Sequence, residues 1–92
     1  MFIYKVAQIN PEEDRELRSD LFVSRFKALD FAKDQASKCA RKVDNSKVEV
    51  FEDIEVYDAS LIELYRYDAV RVLDDRGQVI ALWEITEVEV RE

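Results

Sequence analysis

The 92-residue chain is acidic, with a formal net charge of −7, and 48% of its residues are hydrophobic. This length predicts one domain, residues 1–92, with a single hydrophobic core. Because the sequence has no histidine and only one cysteine, it excludes a Ser-His-Asp triad, an intrachain disulfide and the usual zinc sites.

The first strand is predicted at residues 2–9, where aromatic and β-branched residues dominate. Its apolar side chains fall on both faces, which is typical of a central strand covered on both sides. Residues 10–13 combine Asn, Pro and Glu and predict a loop or one polar turn. The short apolar run at residues 21–23 predicts a second strand pairing with the first. The alternative is a helix that begins at Asp20 and includes Phe22.

The main helix is predicted from Arg25 to Lys42, with Ser24 as its N-cap. Apolar residues recur at three- and four-residue spacing and predict one buried stripe. The stripe consists of Phe26, Leu29, Ala32, Ala36, Cys39, Ala40 and Val43. A cysteine on such a stripe is typical of a small core residue, so Cys39 is not a candidate nucleophile.

Residues 47–57 alternate as in a β-strand and predict two opposite faces. One face carries Val48, Val50, Ile54 and Val56, and the other carries Glu49, Phe51, Asp53 and Glu55. Glu52 interrupts the apolar face, which indicates a bulge or a strand edge. Residues 58–67 leave two alternatives, because the spacing of Ser60 and Glu63 favours a short helix but a strand is possible.

Residues 69–85 predict a β-hairpin around the turn Asp74-Asp75-Arg76-Gly77, in which the glycine supplies a positive φ. Beyond Ile85 the apolar residues change face, which predicts a bulge or bend near residues 84–87. Together these elements predict an α+β fold, with one main helix packed on a mostly antiparallel sheet of four to five strands. We expect the edge strands of this sheet to pair in a homodimer.

Charge is unevenly distributed along the chain. Residues 1–43 contain nine basic and seven acidic residues, whereas residues 44–92 contain five basic and fourteen acidic residues. The two halves therefore have net charges of +2 and −9, and the main helix is basic. Closely spaced like charges reduce stability, so carboxylates kept despite that cost are candidates for binding a cationic partner. An acidic face also gives solubility, and this simpler explanation stays open.

The acidic half contains two carboxylate rows, Glu49-x-x-Glu52-Asp53-x-Glu55-x-x-Asp58 and Glu84-x-x-Glu87-x-Glu89. Residues two apart on a strand share a face and lie about 6.6 Å apart. Each DNA strand carries a charge about every 3.4 Å along the axis, so such carboxylates form a sparser but regular anionic row. We therefore predict one partner-binding site made of eight carboxylates: Glu49, Glu52, Asp53, Glu55, Asp58, Glu84, Glu87 and Glu89.

In its size, its acidic half and these carboxylate rows, the chain resembles the phage anti-restriction DNA mimics of the Arn and Ocr type. The resemblance implies a non-enzymatic protein, often a dimer, that presents carboxylates where DNA presents phosphates. Such a protein blocks the DNA-binding channel of a restriction endonuclease in the bacterial host. Small anti-CRISPR proteins act by the same logic and are a neighbouring alternative. The basic helix departs from an all-acidic pattern, so mimicry would belong to one face.

Two other functions remain as alternatives. A structural or adaptor domain would bind partners through apolar surface around Tyr65, Tyr67 and Trp83, with an acidic face that only solvates. A hydrolase using paired carboxylates would need a cleft, for which so short a chain leaves little room. We predict no catalytic residue, cofactor or metal, and no direct nucleic-acid binding, because a pI near 4.6 is the reverse of a basic footprint. No apolar run approaches the roughly 18 residues of a membrane span, so we expect a cytoplasmic protein.

Overall fold

The computed structural model describes residues 1–91, and Glu92, counted above in the acidic half, lies outside them. The described residues form five strands and one helix. Their bounds are β1 Phe2–Asn10, β2 Arg15–Phe22, α1 Arg25–Ala40, β3 Lys47–Tyr57, β4 Glu63–Leu73 and β5 Val79–Glu89. The strands form one antiparallel sheet in the order β2-β1-β5-β4-β3, with α1 packed on one face. The predicted α+β class and the predicted number of strands are confirmed.

The sheet face that packs against α1, which we call the covered face, contains the hydrophobic core. Its most deeply buried side chains, each at most 4% exposed, are Val6, Val70, Val72, Trp83 and Ile85. The helix meets them with Ala28, Leu29, Ala32 and Ala36. Because three of these four helix residues are alanines, the helix backbone lies close to the sheet, and the larger core side chains come from the strands.

Two members of the predicted helix stripe are wrong: Phe26, and Val43, which lies beyond the end of the helix at Ala40 and outside the core. Phe26 is 73% exposed and lies outside the core, whereas Ala28 is fully buried. A helix rotates about 100° per residue, which places Phe26 about 120° from Ala32 at the centre of the buried stripe. Phe26 therefore does not share the buried face of the helix, although it lies three residues before Leu29.

The ends of the helix follow local signals. Ser24 is the N-cap, as predicted, and its side-chain oxygen accepts a hydrogen bond from the Lys27 backbone N–H at 3.4 Å. The helix ends at Ala40, two residues before the predicted end at Lys42. Cys39 is partly buried against the core, in agreement with the prediction of a core position.

The sheet face opposite α1, which we call the open face, has no helix against it among residues 1–91. Strand alternation places on it Ile3, Lys5, Ala7 and Ile9 of β1, Leu82, Glu84, Thr86 and Val88 of β5, and Tyr67, Ala69 and Arg71 of β4. β1 is therefore covered on one side only, and the prediction of a strand covered on both sides is wrong. Its outward apolar side chains pack instead against neighbours along the sheet.

Three of the four connections between strands are short turns or loops, and α1 connects β2 to β3. Residues 11–14 form a turn, as predicted, and Leu21 and Phe22 belong to β2, so the alternative of a helix beginning at Asp20 is wrong. β2 begins at Arg15, earlier than predicted. The hairpin at residues 69–85 is confirmed, and Gly77 in its turn has a φ of 79°.

The short helix favoured for residues 58–67 is wrong. Residues 58–60 are irregular or turn, and β4 begins at Glu63. The Asp58 carboxylate accepts backbone hydrogen bonds from Ser60 at 2.8 Å and from Ile62 at 3.0 Å. Ser60 and Glu63 therefore do not cap a helix. Asp58 closes a hairpin loop instead, because an Asp side chain can accept hydrogen bonds from backbone N–H groups in a turn as it does at a helix cap.

β3 contains a bulge at Glu52 and Asp53, in agreement with one reason proposed for the interruption at Glu52. The register with β4 shifts between Phe51 and Ile54, and Asp53 has a left-handed φ of 55°. β3 is also an outer strand of the sheet, which was the other reason proposed.

The bulge reverses the alternation of side chains along β3, because one extra residue moves all later residues to the other face. Val48 packs against the core on the covered face, but Ile54 pairs with Tyr67 on the open face. Glu49 and Glu55 are likewise on opposite faces. The prediction that the four apolar residues share one face of β3, and the acidic residues the other, is wrong.

The bend predicted in β5 near residues 84–87 is also wrong. β5 pairs with β1 in an unbroken register from Leu82 to Glu89. α1 begins at Arg25, beside Ile85, so the covered face beyond Ile85 has no helix above it. The apolar residues of β5 change face there because nothing remains to bury them on the covered side. Glu87 consequently occupies the covered side, and Val88 occupies the open face.

Candidate partner-binding surface

A solvent-open depression of about 160 Å³ lies at the end of the covered face, beyond the N-terminus of α1. It exists because β4 pairs with β5 only from Tyr67 onward, so the two strands separate at this end of the sheet. Its lining consists of Tyr4, Arg25, Asp53, Arg66, Tyr67, Asp68, Ile85 and Glu87.

Asp68 is 4% exposed and holds together three elements at the floor of this depression. Its carboxylate accepts hydrogen bonds from Nε and Nη2 of Arg25, at 2.9 and 2.7 Å. It also accepts the backbone N–H of Asp53 at 2.9 Å. The two-pronged bond to Arg25 joins the start of α1 to β4, and the third bond stabilises the left-handed residue of the β3 bulge.

These bonds keep both partners ionised. Burial raises the pKa of the Asp68 carboxyl, but the hydrogen bonds from Arg25 and from the Asp53 N–H outweigh burial, and the pKa is lowered. The hydrogen bond to Asp68 raises the pKa of the Arg25 guanidinium more than burial lowers it. The pair therefore remains charged at neutral pH.

The sequence prediction missed this pair, because 43 residues separate Arg25 from Asp68. One local signal was available. Asp68 directly precedes the buried residues Ala69 and Val70, where an unpaired carboxylate would be costly. A charged residue in that position indicates a partner from another element.

Five of the eight predicted carboxylates lie around the depression, and we call them the acidic rim: Glu52, Asp53, Glu55, Glu87 and Glu89. Asp53 lies 3.4 Å from Arg25, and the charge of Glu52 contributes to the raised pKa of Arg25. Glu87 lines the depression directly. Glu89 follows on the same side of β5, about 6.6 Å further along the strand. Glu55 contacts Arg66, which also lines the depression.

The other three predicted carboxylates lie elsewhere. Glu49 is on the open face, where its Oε1 lies 2.7 Å from Nε of Arg71. Glu84 is half-buried on the same face, and burial raises the pKa of its carboxyl, with a further contribution from the charge of Asp14. Asp58 closes its hairpin loop. β4 lies between β3 and β5, so the two carboxylate rows are not on neighbouring strands, and only the middle of the first row approaches Glu87 and Glu89 of the second.

Arg66 balances part of the acidic rim. It lies 3.4 Å from Glu55 and forms a close ion pair with Glu63, whose pKa is lowered by this hydrogen bond. The Tyr57 hydroxyl donates a hydrogen bond to Glu55, and this bond raises the pKa of Tyr57.

The surroundings of the depression nevertheless remain strongly negative. Seven carboxylates and two guanidinium groups give a net charge of −5; these are Glu52, Asp53, Glu55, Glu63, Asp68, Glu87 and Glu89 with Arg25 and Arg66. The side chains of Glu52, Glu87 and Glu89 form no ion pair or hydrogen bond with any other residue in the range 1–91. Their carboxylates are therefore available to ammonium or guanidinium groups of a partner.

The apolar patch predicted around Tyr65, Tyr67 and Trp83 is not one surface. Trp83 is 4% exposed in the core, on the covered face. Tyr65 and Tyr67 lie on the open side, with ring centroids 6.0 Å apart. A different apolar set is exposed where β3 turns into β4: Tyr57, Leu61, Ile62, Leu64 and Tyr65.

Comparisons of the chain with protein-family models, with curated proteins and with solved structures found no match. Across residues 1–91, no helix is long and apolar enough to cross a membrane, and no three His, Cys, Asp or Glu side chains are grouped to hold a metal ion.

Proposed function

We propose that the protein is a non-enzymatic inhibitor that binds the DNA-binding surface of a bacterial host protein, such as a restriction endonuclease, through its acidic rim. The observation that supports this proposal is the gathering of five predicted carboxylates around one depression with a net charge of −5. A DNA-binding channel offers lysine and arginine side chains, which are the natural partners of such a rim. The proposed site of action is the host cytoplasm.

The geometry favours mimicry by one end of the molecule rather than by its whole surface. α1 carries Lys27, Lys33 and Lys38 in exposed positions, which would repel a basic partner. The acidic rim lies beyond the N-terminus of this helix, so a partner can reach the rim without contacting Lys33 or Lys38, which lie at least two turns further along the helix. The affinity should fall steeply with added salt, because exposed charge pairs are screened.

Displacement of host proteins from immobilised DNA tests the proposal. Bacterial lysate proteins are retained on double-stranded DNA resin, and the purified protein is added at low and at high salt. We expect the wild type to release a specific DNA-binding protein at low salt. The triple variant Glu52→Gln/Glu87→Gln/Glu89→Gln should not release it.

The matched control is Asp30→Asn/Asp44→Asn/Asp75→Asn, which removes the same number of charges from exposed positions outside the rim. This variant should release the same protein as the wild type. If nothing is released, or if both triple variants lose release equally, the rim is not a DNA-mimicking site. Release of a guide-RNA nuclease instead of a restriction enzyme would select the anti-CRISPR alternative.

The exposed apolar residues between β3 and β4 favour a second candidate, an adaptor domain. Leu61 and Ile62 at the tip of this hairpin are 82% and 61% exposed. Exposed apolar side chains in contiguous positions are typical of protein interaction sites. For an adaptor, Leu61→Ser/Ile62→Ser should abolish capture of a partner, whereas the triple variant of the acidic rim should still capture it.

A further inference from the structure

The open face is close to electrical balance, whereas the chain as a whole is acidic. It carries three basic side chains, Lys5, Lys47 and Arg71, and three acidic ones, Glu16, Glu49 and Glu84, and the charge of Asp14 in the turn after β1 also acts on Glu84. Most of these charges are paired along the sheet. Lys5 lies 2.9 Å from Glu16, and Arg71 lies 2.7 Å from Glu49.

This balance decides which surfaces of two identical chains can meet. Two chains of net charge −7 repel each other, and the repulsion is strongest where acidic rims approach. The open face contributes little net charge, about −1 when Asp14 is counted with it, so contact between two open faces adds less repulsion than contact between acidic rims. Its lateral ion pairs also leave few charges to be buried without a partner.

The open face also has the apolar content of an interface. Phe51 is 38% exposed, and Ile3, Ile9, Ile54, Val56 and Leu82 are half-buried with no helix above them among residues 1–91. The Arg71 guanidinium lies over the Phe51 ring, 4.8 Å from its centroid. Antiparallel sheets with one such face commonly pack against a second sheet about 10 Å away.

The area matches that of a stable dimer. Five strands about 4.8 Å apart and about 26–36 Å long give a face of roughly 600–850 Å². A standard interface buries about 800 Å² per partner. The outer strands are poorer alternatives for self-association, because β3 and β2 each contain a register shift that interrupts regular edge pairing.

We propose that two copies of the chain pack through their open faces, about a two-fold axis close to Glu84. β5 is the middle strand of the sheet, and Glu84 is its middle residue. Its neighbours across the sheet are Ala7 and Ala69, whose small side chains leave the centre of the face shallow. A central two-fold axis therefore brings the Glu84 carboxylates of the two copies together.

This arrangement is independent of the proposed inhibitory function, since the acidic rim belongs to the other side of the sheet. In the dimer the two rims would remain accessible. The triple variant Glu52→Gln/Glu87→Gln/Glu89→Gln should therefore still dimerise even if it no longer displaces a host protein.

Sedimentation equilibrium of the full chain, from micromolar to hundreds of micromolar concentrations at about 0.15 M salt, tests the interface. We expect a species with twice the mass of one chain. Leu82→Arg at the centre of the open face should give a monomer at all concentrations. Phe26→Arg, the same kind of change on the outer surface of α1, should leave the dimer intact.

Two charge variants test the arrangement without altering the apolar residues. Lys5→Glu makes the net charge of the face more negative and should weaken dimerisation at least about tenfold, more at low salt than at high salt. Glu84→Gln should tighten the dimer several-fold, because it removes the repulsion at the axis. Far-UV circular dichroism of each variant confirms that it is folded.

A monomer throughout the concentration range overturns the proposal. Equal loss of dimer in Leu82→Arg and Phe26→Arg overturns the assignment of the open face. A dimer weakened by Glu84→Gln overturns the central position of the axis. A monomeric chain that uses this face for a different protein would give the first of these results.

Discussion

The covered and open faces of the sheet treat their charged residues in opposite ways. On the open face, Glu16 and Glu49 lie beside basic neighbours on adjacent strands, and most of the charge cancels. On the covered face, Asp68 is the one buried carboxylate among the described residues, and it accepts hydrogen bonds from Arg25 of the helix. The carboxylates of the acidic rim lie beyond the N-terminal end of the helix. The helix therefore both builds the core and determines where unbalanced negative charge can be exposed.

The difference in burial between the faces should produce the largest effect. Trp83→Ala removes a 4%-exposed side chain from the core and should cost about 3–5 kcal/mol of unfolding free energy. Tyr65→Ala removes a side chain that is 54% exposed and should cost less than about 1 kcal/mol. Urea unfolding followed by circular dichroism measures both. Similar losses would mean that the open side is as tightly packed as the covered face.

The ion pair that joins helix and sheet should give the next largest effect. Asp68→Asn leaves Arg25 without its carboxylate and should destabilise the protein by about 2–3 kcal/mol. The loss is below that of a fully buried pair because Arg25 is 41% exposed and can be hydrated. The control is Asp53→Asn, which keeps the backbone bond to Asp68 and tolerates the left-handed φ. Urea midpoints that fall equally for both variants would contradict this assignment.

The same pair predicts a dependence of stability on pH. Because the pKa of Asp68 is lowered in the folded state, its contribution is present above the unfolded value of about 3.9. That contribution is lost as the pH falls through the lower, folded-state pKa. The difference in unfolding free energy between wild type and Asp68→Asn should thus be constant from pH 7 to about 5 and shrink below about pH 4. If the difference grew as the pH fell, the pKa of Asp68 would be raised in the folded state, and the ion pair with Arg25 would not explain the stability.

Glu84 on the open face should show the opposite sign and the smallest effect. Its pKa is raised by burial, so the folded state is favoured when Glu84 is protonated and loses stability as the pH rises through that pKa. Glu84→Gln should therefore be more stable than wild type at pH 7, by about 0.5 kcal/mol, and equal to it below about pH 4. Unfolding at protein concentrations too low for self-association separates this gain from any effect on a dimer.

Local signals in the sequence were sufficient for the parts of the fold that depend on neighbouring residues. Ser24 as a cap, the helix that follows and the turn with Gly77 depend on residues within a few positions of one another, and all three are present. Phe26 shows that apolar spacing alone does not determine which helix residues are buried, since the four buried residues of α1 do not include it.

The candidate site was predicted only in part, because a single bulge controls its geometry. Glu49 precedes the bulge and lies on the open face by simple alternation, whereas the extra residue at Glu52 and Asp53 moves Glu55 to the covered side and into the acidic rim. The bulge is stabilised by Asp68, which lies on another strand. The residues around Glu52 therefore could not show on which face each later carboxylate lies. The eight carboxylates were therefore predicted as one surface, whereas five of them surround the depression.

The order of the strands has a consequence for how the chain folds during synthesis. β1 and β5 come from opposite ends of the sequence, yet they lie side by side, with Val6 of β1 paired with Ile85 of β5. The β1–β2 hairpin can form early, but its inner edge stays without a partner until β5 has left the ribosome. Long-range strand pairing of this kind slows folding and leaves an exposed edge meanwhile. Completion of this five-stranded sheet, and with it of the acidic rim, therefore waits for β5 to be made.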